Sequence, residues 1–465
     1  MDIERIVNDP KLNDPIDALA ARIRHPEHAV SDVIDAAGHQ YIDLVMEGGG
    51  LLGVALIGYT WALERMGLRF LGIGGTSAGS INALLLAGLD EPSEAKSPQM
   101  LEELASKDFY DFVDGGRDVR DLLDLALDGR PVGMFKAARL FGRLFAVRER
   151  LTDRYGLNPG DHFLYYLKGL LRGAGIETLS QLQARMGRRP LGLALRGQEP
   201  FADDADDVPT GRRVVVAADV WSETRVELPE MAELYWPDAP NTNPAEFVRA
   251  SMSIPFFFEP LRIEGLPTDA TAAERWNRHA GLRPDQTADG RMPDRAMLVD
   301  GGLLSNFPIN AFHRPERVPQ RPTFGVKLEY DRRVDPERRF RGNGGFGGLL
   351  EYAGLLHNSS SKVLDYEFIR RNRDYVHLVQ YVPCVRVHDD GRVERINWID
   401  FDLPAADQEL LFRQGAEQAI AFVDGFSSPV DGRGRPVDHP PTDGFPSKWE
   451  FYKALRRRLA ETIYD

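Results

Sequence analysis

Ser77 stands between two glycines in Gly75-Thr76-Ser77-Ala78-Gly79. The apolar run Leu68-Arg69-Phe70-Leu71-Gly72-Ile73-Gly74 precedes it, and the helix-like run Ser80 to Ala87 follows. A serine at a strand-to-helix turn is held in a strained backbone with its hydroxyl pointing out, and flanking glycines let strand and helix approach without Cβ clashes. The helix that begins there aims its first N–H groups, Ala78 among them, and the positive end of its dipole at the same spot. Such a serine can attack a carbonyl carbon, and the oxyanion that forms can be held. Five-residue patterns recur by chance, so the motif alone reads equally as a glycine-rich structural turn.

A second glycine cluster lies upstream. Tyr41-Ile42-Asp43-Leu44-Val45-Met46 reads as a buried strand that runs into Glu47-Gly48-Gly49-Gly50-Leu51-Leu52-Gly53. Val54 to Met66 then carries Leu56, Tyr59, Leu63 and Met66 at helical spacing, with Gly67 as the C-cap. Residues 41–85 thus read strand, Gly-loop, helix, strand, Gly-Ser turn, helix. In one right-handed βαβ unit both turns open at the same edge of the sheet. The amides of Gly48, Gly49 and Gly50 then face the Ser77 hydroxyl as candidate oxyanion donors. Gly48-Gly49-Gly50-Leu51-Leu52-Gly53 also matches the dinucleotide pattern G-x-G-x-x-G. That reading requires a carboxylate at the end of the next strand, and Ile73-Gly74-Gly75-Thr76 has none.

These two clusters, with Asp300-Gly301-Gly302 far downstream, resemble the patatin-like phospholipase family. The resemblance extends to Val248-Arg249-Ala250-Ser251-Met252-Ser253-Ile254-Pro255 and to Leu303-Leu304-Ser305-Asn306-Phe307-Pro308. It covers roughly residues 40–420 in scattered blocks. It implies a three-layer α/β/α fold with a nucleophile elbow and helical insertions. It also implies a lipid acyl hydrolase that needs no cofactor and no metal, acting on phospholipid or lysophospholipid through a Ser–Asp dyad. Ser77 and Asp300 are then the catalytic pair. Gly48, Gly49, Gly50 and Ala78 form the oxyanion hole, and Gly53, Gly75, Gly79, Gly301 and Gly302 are motif glycines. One position departs from the family: Leu52 stands where Arg or Lys is usual.

Two Asp-Gly-Gly triplets compete for the carboxylate. Asp114-Gly115-Gly116 sits in a charged setting, before Arg117-Asp118-Val119-Arg120, and reads as a solvated turn. Asp300 follows the short apolar strand Ala296-Met297-Leu298-Val299, at a strand end where active sites of open α/β sheets collect. In a dyad Asp300 takes the Ser77 proton and returns it to the leaving alcohol, and partial burial helps by raising its proton affinity. The alternative is a Ser-Asp-His triad in a small-ester esterase or thioesterase. His313, His357, His377, His388 and His439 all follow Asp300, so counting leaves it open. A catalytically silent binding protein on the same scaffold is the third reading.

Composition frames these readings. With 57 Lys and Arg against 71 Asp and Glu, the net charge of −14 argues against nucleic acid and against simple adhesion to anionic lipid. The single cysteine, Cys384, excludes an intrachain disulfide and reads as a packing residue. No signal peptide or 18-residue apolar run is evident, so a cytoplasmic chain with peripheral membrane contact is expected.

The elements needed to position the site are these. Residues 1–38 read as a helical extension, with Ile16, Leu19, Ala20 and Ile23 at helical spacing. Residues 39–425 form the catalytic domain, with a helical insertion or lid over 91–200 and a polar, Pro/Gly-rich insertion over 264–295. Residues 426–465 are a tail with a short helix. Strands are expected at Arg213–Val220, at Trp221–Leu228 as its hairpin partner, at Thr323–Leu328 and near Tyr375–Val382, and a late helix over Leu411–Val423. Two stretches suit lipid: the amphipathic run Met134–Arg148, which reads also as a helix packed on the sheet, and Pro255-Phe256-Phe257-Phe258, which suits an acyl pocket or the core.

Overall fold

In a computed structural model the protein is described at residues 2–121, 142, 145, 147–202, 208–287, 290–328, 360, 363–398, 401–440 and 442–464. The amphipathic run 134–148 and the Arg/Gly-rich stretch 331–348 fall largely or wholly outside these residues. The chain opens with helices α1 (Ile3–Val7) and α2 (Pro10–Ile23), the second capped by the Asp9 carboxylate on Lys11 N–H. A short β1 (Val33–Ile34) leads into β2 (Gln40–Met46), α3 (Gly53–Arg65), β3 (Leu68–Thr76) and α4 (Ala78–Gly88). This is the expected βαβα order, with β3 running two residues further, up to the residue before Ser77.

Next come α5 (Ser97–Ser106), β4 (Gly156–Asn158), α6 (Asp161–Gly173), α7 (Leu179–Met186) and β5 (Ala194–Leu195). The hairpin β6 (Arg212–Asp219) and β7 (Thr224–Leu228) is followed by α8 (Ala232–Tyr235), α9 (Ala245–Ser251), β8 (Phe256–Phe258) and β9 (Leu261–Glu264). The polar insertion contains a helix that composition hid, α10 (Ala270–Ala280). It is bounded by ordinary signals: the Asp269 carboxylate accepts from Ala272 N–H, and Gly281 closes it at φ 65°. The chain ends with β10 (Arg295–Asp300), β11 (Thr323–Lys327), β12 (Val379–Tyr381), the ribbon β13 (Val385–Val387) and β14 (Val393–Arg395), then α11 (Ala405–Ser427) and α12 (Lys448–Tyr464). Of the strand expected near Tyr375–Val382, Val379–Tyr381 is strand, while the residues before it belong to a 3-10 helix, Arg373–Leu378. The final helix is 17 residues long rather than short, and it is anchored by Lys453 on Asp32 at 2.8 Å.

The central sheet runs β12-β11-β2-β3-β6-β10-β9. The first five strands are parallel, and β10 runs antiparallel to both of its neighbours, β6 and β9. Every residue of β2 and β3 is buried, as expected of parallel strands covered on both faces. Right-handed crossovers along the monotonic order β2-β3-β6 put α3 and α4 on one face. On the other, Val214 and Val216 pack on Ala311 and Phe312. Helix α3 is buried almost all round because α11 covers it. The two backbones touch where glycines permit it: a Cβ on Gly58 would lie 2.0 Å from Phe412 O, and one on Gly415 would lie 1.9 Å from Ala55 O.

The strand register brings the two ends of the site together. Val216 of β6 pairs with Thr76, and the next residue, Ala217, pairs with Asp300. Strand β7 pairs with Val215 to Asp219, overlapping both partners, so it occupies the opposite edge of β6. Strands β3 and β10 therefore lie end to end along one edge, meeting about 3.3 Å apart in register.

Candidate active site

Ser77 is the residue after β3 and the N-cap of α4, with φ 51° and ψ −121°. A positive φ at a serine costs about 1–3 kcal/mol and persists only where neighbours impose it. They are present. The Ser77 N–H donates to Ser251 Oγ at 2.9 Å, and the Ser251 hydroxyl donates to Val216 O at 2.6 Å. The flanking glycines meet backbone directly: a Cβ on Gly75 would lie 2.4 Å from Gly79 O, and one on Gly79 would lie 2.3 Å from Met46 O.

Asp300 is buried beside it. Its Oδ1 accepts from Gly302 N–H at 2.7 Å, and its own N–H donates to Ser253 O at 2.9 Å. Gly301 sits against β6 and β3, where a Cβ would be 2.1 Å from Val216 O and 3.0 Å from Thr76 Cγ2. Burial raises the Asp300 carboxyl to about 6, and hydrogen bonding with the Ser77 hydroxyl and the Gly302 N–H moderates the rise. The strand register and this coupling bring Ser77 and Asp300 together.

The Gly-loop lies against the same serine. A Cβ on Gly48 would lie 3.0 Å from Ser77 Cβ, and one on Gly53 would lie 3.0 Å from Ala78 Cβ. The three loop amides are not equivalent. Gly48 N–H is committed to Asn306 O at 3.0 Å, while Asn306 Nδ2 donates back to Gly48 O at 3.0 Å. That is a correction to the expected set of donors, because an amide already engaged in a backbone bond is not free for a ligand. Among the described residues no acceptor lies on the N–H groups of Gly49, Gly50 or Ala78. Gly50 has φ 54°, the left-handed conformation that glycine adopts without strain. Leu52 is buried among apolar residues rather than directed at the site.

Behind the loop is a buried polar cluster that sequence reasoning missed. Glu47 pairs with Lys327 Nζ at 2.8 Å and accepts from Leu328 N–H at 2.8 Å. Lys327 lies over the Phe307 ring, 4.7 Å from its centroid. Asp365 accepts from Ser305 Oγ at 2.7 Å and from Phe307 N–H at 2.8 Å, and burial raises its carboxyl to about 6. Thr76 Oγ1 donates to Ser305 O at 3.0 Å. The cluster ties the Gly-loop, the end of β3 and the segment after Asp300 to one another. Ser305 and Phe307 stand in a motif block of the sequence, but nothing in the spacing joins them to Asp365 or to Lys327.

A cavity of about 120 Å³ opens at Gly50, Ser77 and Ala78. Val54, Ile57, Ile81 and Leu85 of α3 and α4 form one wall, and Leu104, Phe112, Phe163 and Leu167 form another. At the far end Tyr166 OH donates to Glu103 Oε2 at 3.3 Å. The aromatic triplet divides its roles: Phe258 lines the cavity with Phe401, Phe257 stacks on Phe401 at 4.9 Å, and Phe256 is 68% exposed.

The competing residues are elsewhere. Asp114 is not a solvated turn residue: it accepts from Gly160 N–H at 3.0 Å and His162 N–H at 3.2 Å, at the start of α6. His313 bonds Tyr375 OH at 2.9 Å, His388 bonds Glu394 at 2.7 Å, and His377 packs on Phe451. His439 is exposed, and His357 lies outside the described residues. Among the described residues no histidine lines the cavity.

Residues 44–313 match the model of the family described as patatin-like phospholipase. The chain belongs to the patatin-like phospholipase family. This patatin-like chain therefore carries the family's activity, lipid acyl hydrolysis, and takes a lipid substrate. It is 29% identical over 328 residues to the uncharacterized protein YqhO of Bacillus subtilis (strain 168), covering 70% of this chain and 85% of that one. It is also similar to VipD from Legionella pneumophila in its crystal structure, at 14% identity and a TM-score of 0.35, over 94% of this chain and 78% of that one. That likeness is too distant to add to the family assignment. Among the described residues, no helix of this patatin-like protein is long and apolar enough to cross a membrane, and no group of three or more His, Cys, Asp or Glu is placed to hold a metal ion.

Proposed function

We propose that the protein hydrolyses carboxylic esters of phospholipids or lysophospholipids through a Ser77–Asp300 dyad and an acyl-enzyme. The observation that carries this reading is the buried Asp300 carboxyl coupled to the Ser77 hydroxyl at the mouth of an apolar cavity. Asp300 takes the Ser77 proton as Oγ attacks the ester carbonyl. The oxyanion is held by the N–H groups of Gly49, Gly50 and Ala78, while Gly48 anchors the loop to Asn306. Asp300 then gives the proton to the departing alcohol, and water, activated by the same carboxyl, clears the acyl group from Ser77. With its carboxyl at about 6, Asp300 is ionised and basic near neutral pH.

The cavity's apolar walls favour a long acyl chain over the small esters of the esterase or thioesterase reading. The exposed Phe256, which opens β8 and pairs with Gly156 of β4, and the exposed Tyr155, the residue just before β4, lie at one end of this strand pair and suit peripheral contact with a lipid surface. Incubation with mixed phospholipid and lysophospholipid vesicles, followed by mass spectrometry of products, tests the reading. Free fatty acid and the matching deacylated lipid are expected from wild type and absent with Ser77→Ala. Turnover of short-chain esters alone would overturn the lipid assignment.

A further inference from the structure

A second cavity lies towards the opposite end of the sheet from Ser77. It is bounded by α7, the start of β6, and the end of β7 with the turn after it, and has a volume of about 400 Å³. It shares no lining residue with the Ser77 cavity. Its apolar wall is Leu179, Leu182, Met186 and Leu228.

Arg213 also lines this cavity, on the β6 residue that pairs with Ile73 of β3. The side chain is 4% exposed. Nε, Nη1 and Nη2 all lack a hydrogen-bond partner among the described residues. Its one close contact of note is the Phe247 ring, 5.9 Å from the guanidinium carbon. The other charges at the cavity are already matched. Arg212 pairs with Glu230 at 2.8 Å, and Glu227 pairs with Arg225 at 3.0 Å. Among the described residues the cavity is thus left with one uncompensated positive charge against an apolar wall. Burial alone pulls the guanidinium down to about 9. A buried charge without a partner is costly, and a guanidinium fork matches a carboxylate in bidentate geometry.

We propose that this cavity binds an amphiphilic monocarboxylate, its head on the Arg213 guanidinium and its chain along the wall formed by Leu179, Leu182 and Met186. The volume falls within the range of small-molecule sites. Glu227 and Glu230 line the same cavity, so a dianionic phosphate meets repulsion that a monoanion meets less. A fatty carboxylate is also the acid product of ester hydrolysis, but the site stands on Arg213 and not on that chemistry.

The test is calorimetric titration of the full chain with decanoate, decyl phosphate and acetate. Wild type is compared with Arg213→Met and with Gln183→Trp, an exposed lining position that narrows the cavity without touching the cation. Decanoate is expected to bind wild type at least tenfold tighter than either variant, with acetate weaker than decanoate. Thermal melting without ligand supplies a second readout: Arg213→Met melts higher than wild type, because it removes an unpaired buried charge. Equal decanoate affinity in all three proteins overturns the site. Tighter binding of decyl phosphate than of decanoate overturns the carboxylate assignment. A lower melting temperature for Arg213→Met means that the guanidinium is a structural partner of Phe247, which also overturns the proposal.

Discussion

Replacing Ser251 by alanine removes one hydroxyl and disconnects three elements. That hydroxyl accepts from the Ser77 N–H at 2.9 Å and donates to Val216 O at 2.6 Å, so it joins α9, β6 and the serine turn. Ser251 is fully buried. In Ser251→Ala the buried Ser77 N–H loses this partner, at about 1–3 kcal/mol for an unsatisfied buried group. Ser77 holds φ 51°, a conformation that itself costs about 1–3 kcal/mol, so the turn can relax once its N–H is released. A displacement near 1 Å at the reacting atoms lowers rates by about 100-fold. The expected result is a kcat lower by about 10- to 100-fold with KM changed about twofold or less, since the cavity wall is intact. The melting temperature falls as well, by several degrees. Steady-state hydrolysis of a chromogenic acyl ester, with thermal melting of the same samples, reads both. A variant that melts lower yet keeps wild-type kcat would refute the idea that Ser251 positions the nucleophile.

Four further outcomes follow from the same geometry. The Asp300 carboxyl at about 6 predicts that kcat/KM falls about tenfold per pH unit below 6 and is flat above it. Because that folded value lies above the ordinary 3.8, Asp300 supports folding fully below 3.8 and loses that contribution as pH rises through about 6. Asp300→Asn should therefore be inactive yet more stable than wild type at pH 8, as read by denaturant melts. Gly79→Ala sets a Cβ 2.3 Å from Met46 O, and a cost of about 1–3 kcal/mol with loss of activity is expected; wild-type turnover in that variant contradicts the close approach. Lys327→Met strands the Glu47 carboxylate in the core at a cost of about 3–5 kcal/mol, and adding Glu47→Gln should restore most of it.

The βαβ order, the serine turn and the strand ending in Asp300 were legible because each carries a local signal. Continuous apolar runs mark buried parallel strands, and glycines sit where backbones meet. What brings Asp300 to Ser77 is not local. It depends on β3 and β10 sharing one edge of β6, a matter of register that sequence spacing does not encode. The split among the loop amides was hidden for the same reason, since Gly48 is engaged by Asn306 from far along the chain. Asp114 misled because its capping partners, Gly160 and His162, are distant in sequence. Helix α10 was overlooked although Asp269 and Gly281 flank it with cap signals. The polar composition between them concealed a helix that buries little beyond Ala272 and Trp276.

The most direct test of the Ser77–Asp300 pair is to find the acyl group. Rapid quenching during turnover of a lipid ester, followed by peptide mapping by mass spectrometry, locates it. An acyl adduct on the peptide containing Ser77 is predicted, absent in Ser77→Ala and strongly reduced in Asp300→Asn. Acylation of another residue, or undiminished acylation of Ser77 in Asp300→Asn, contradicts the dyad.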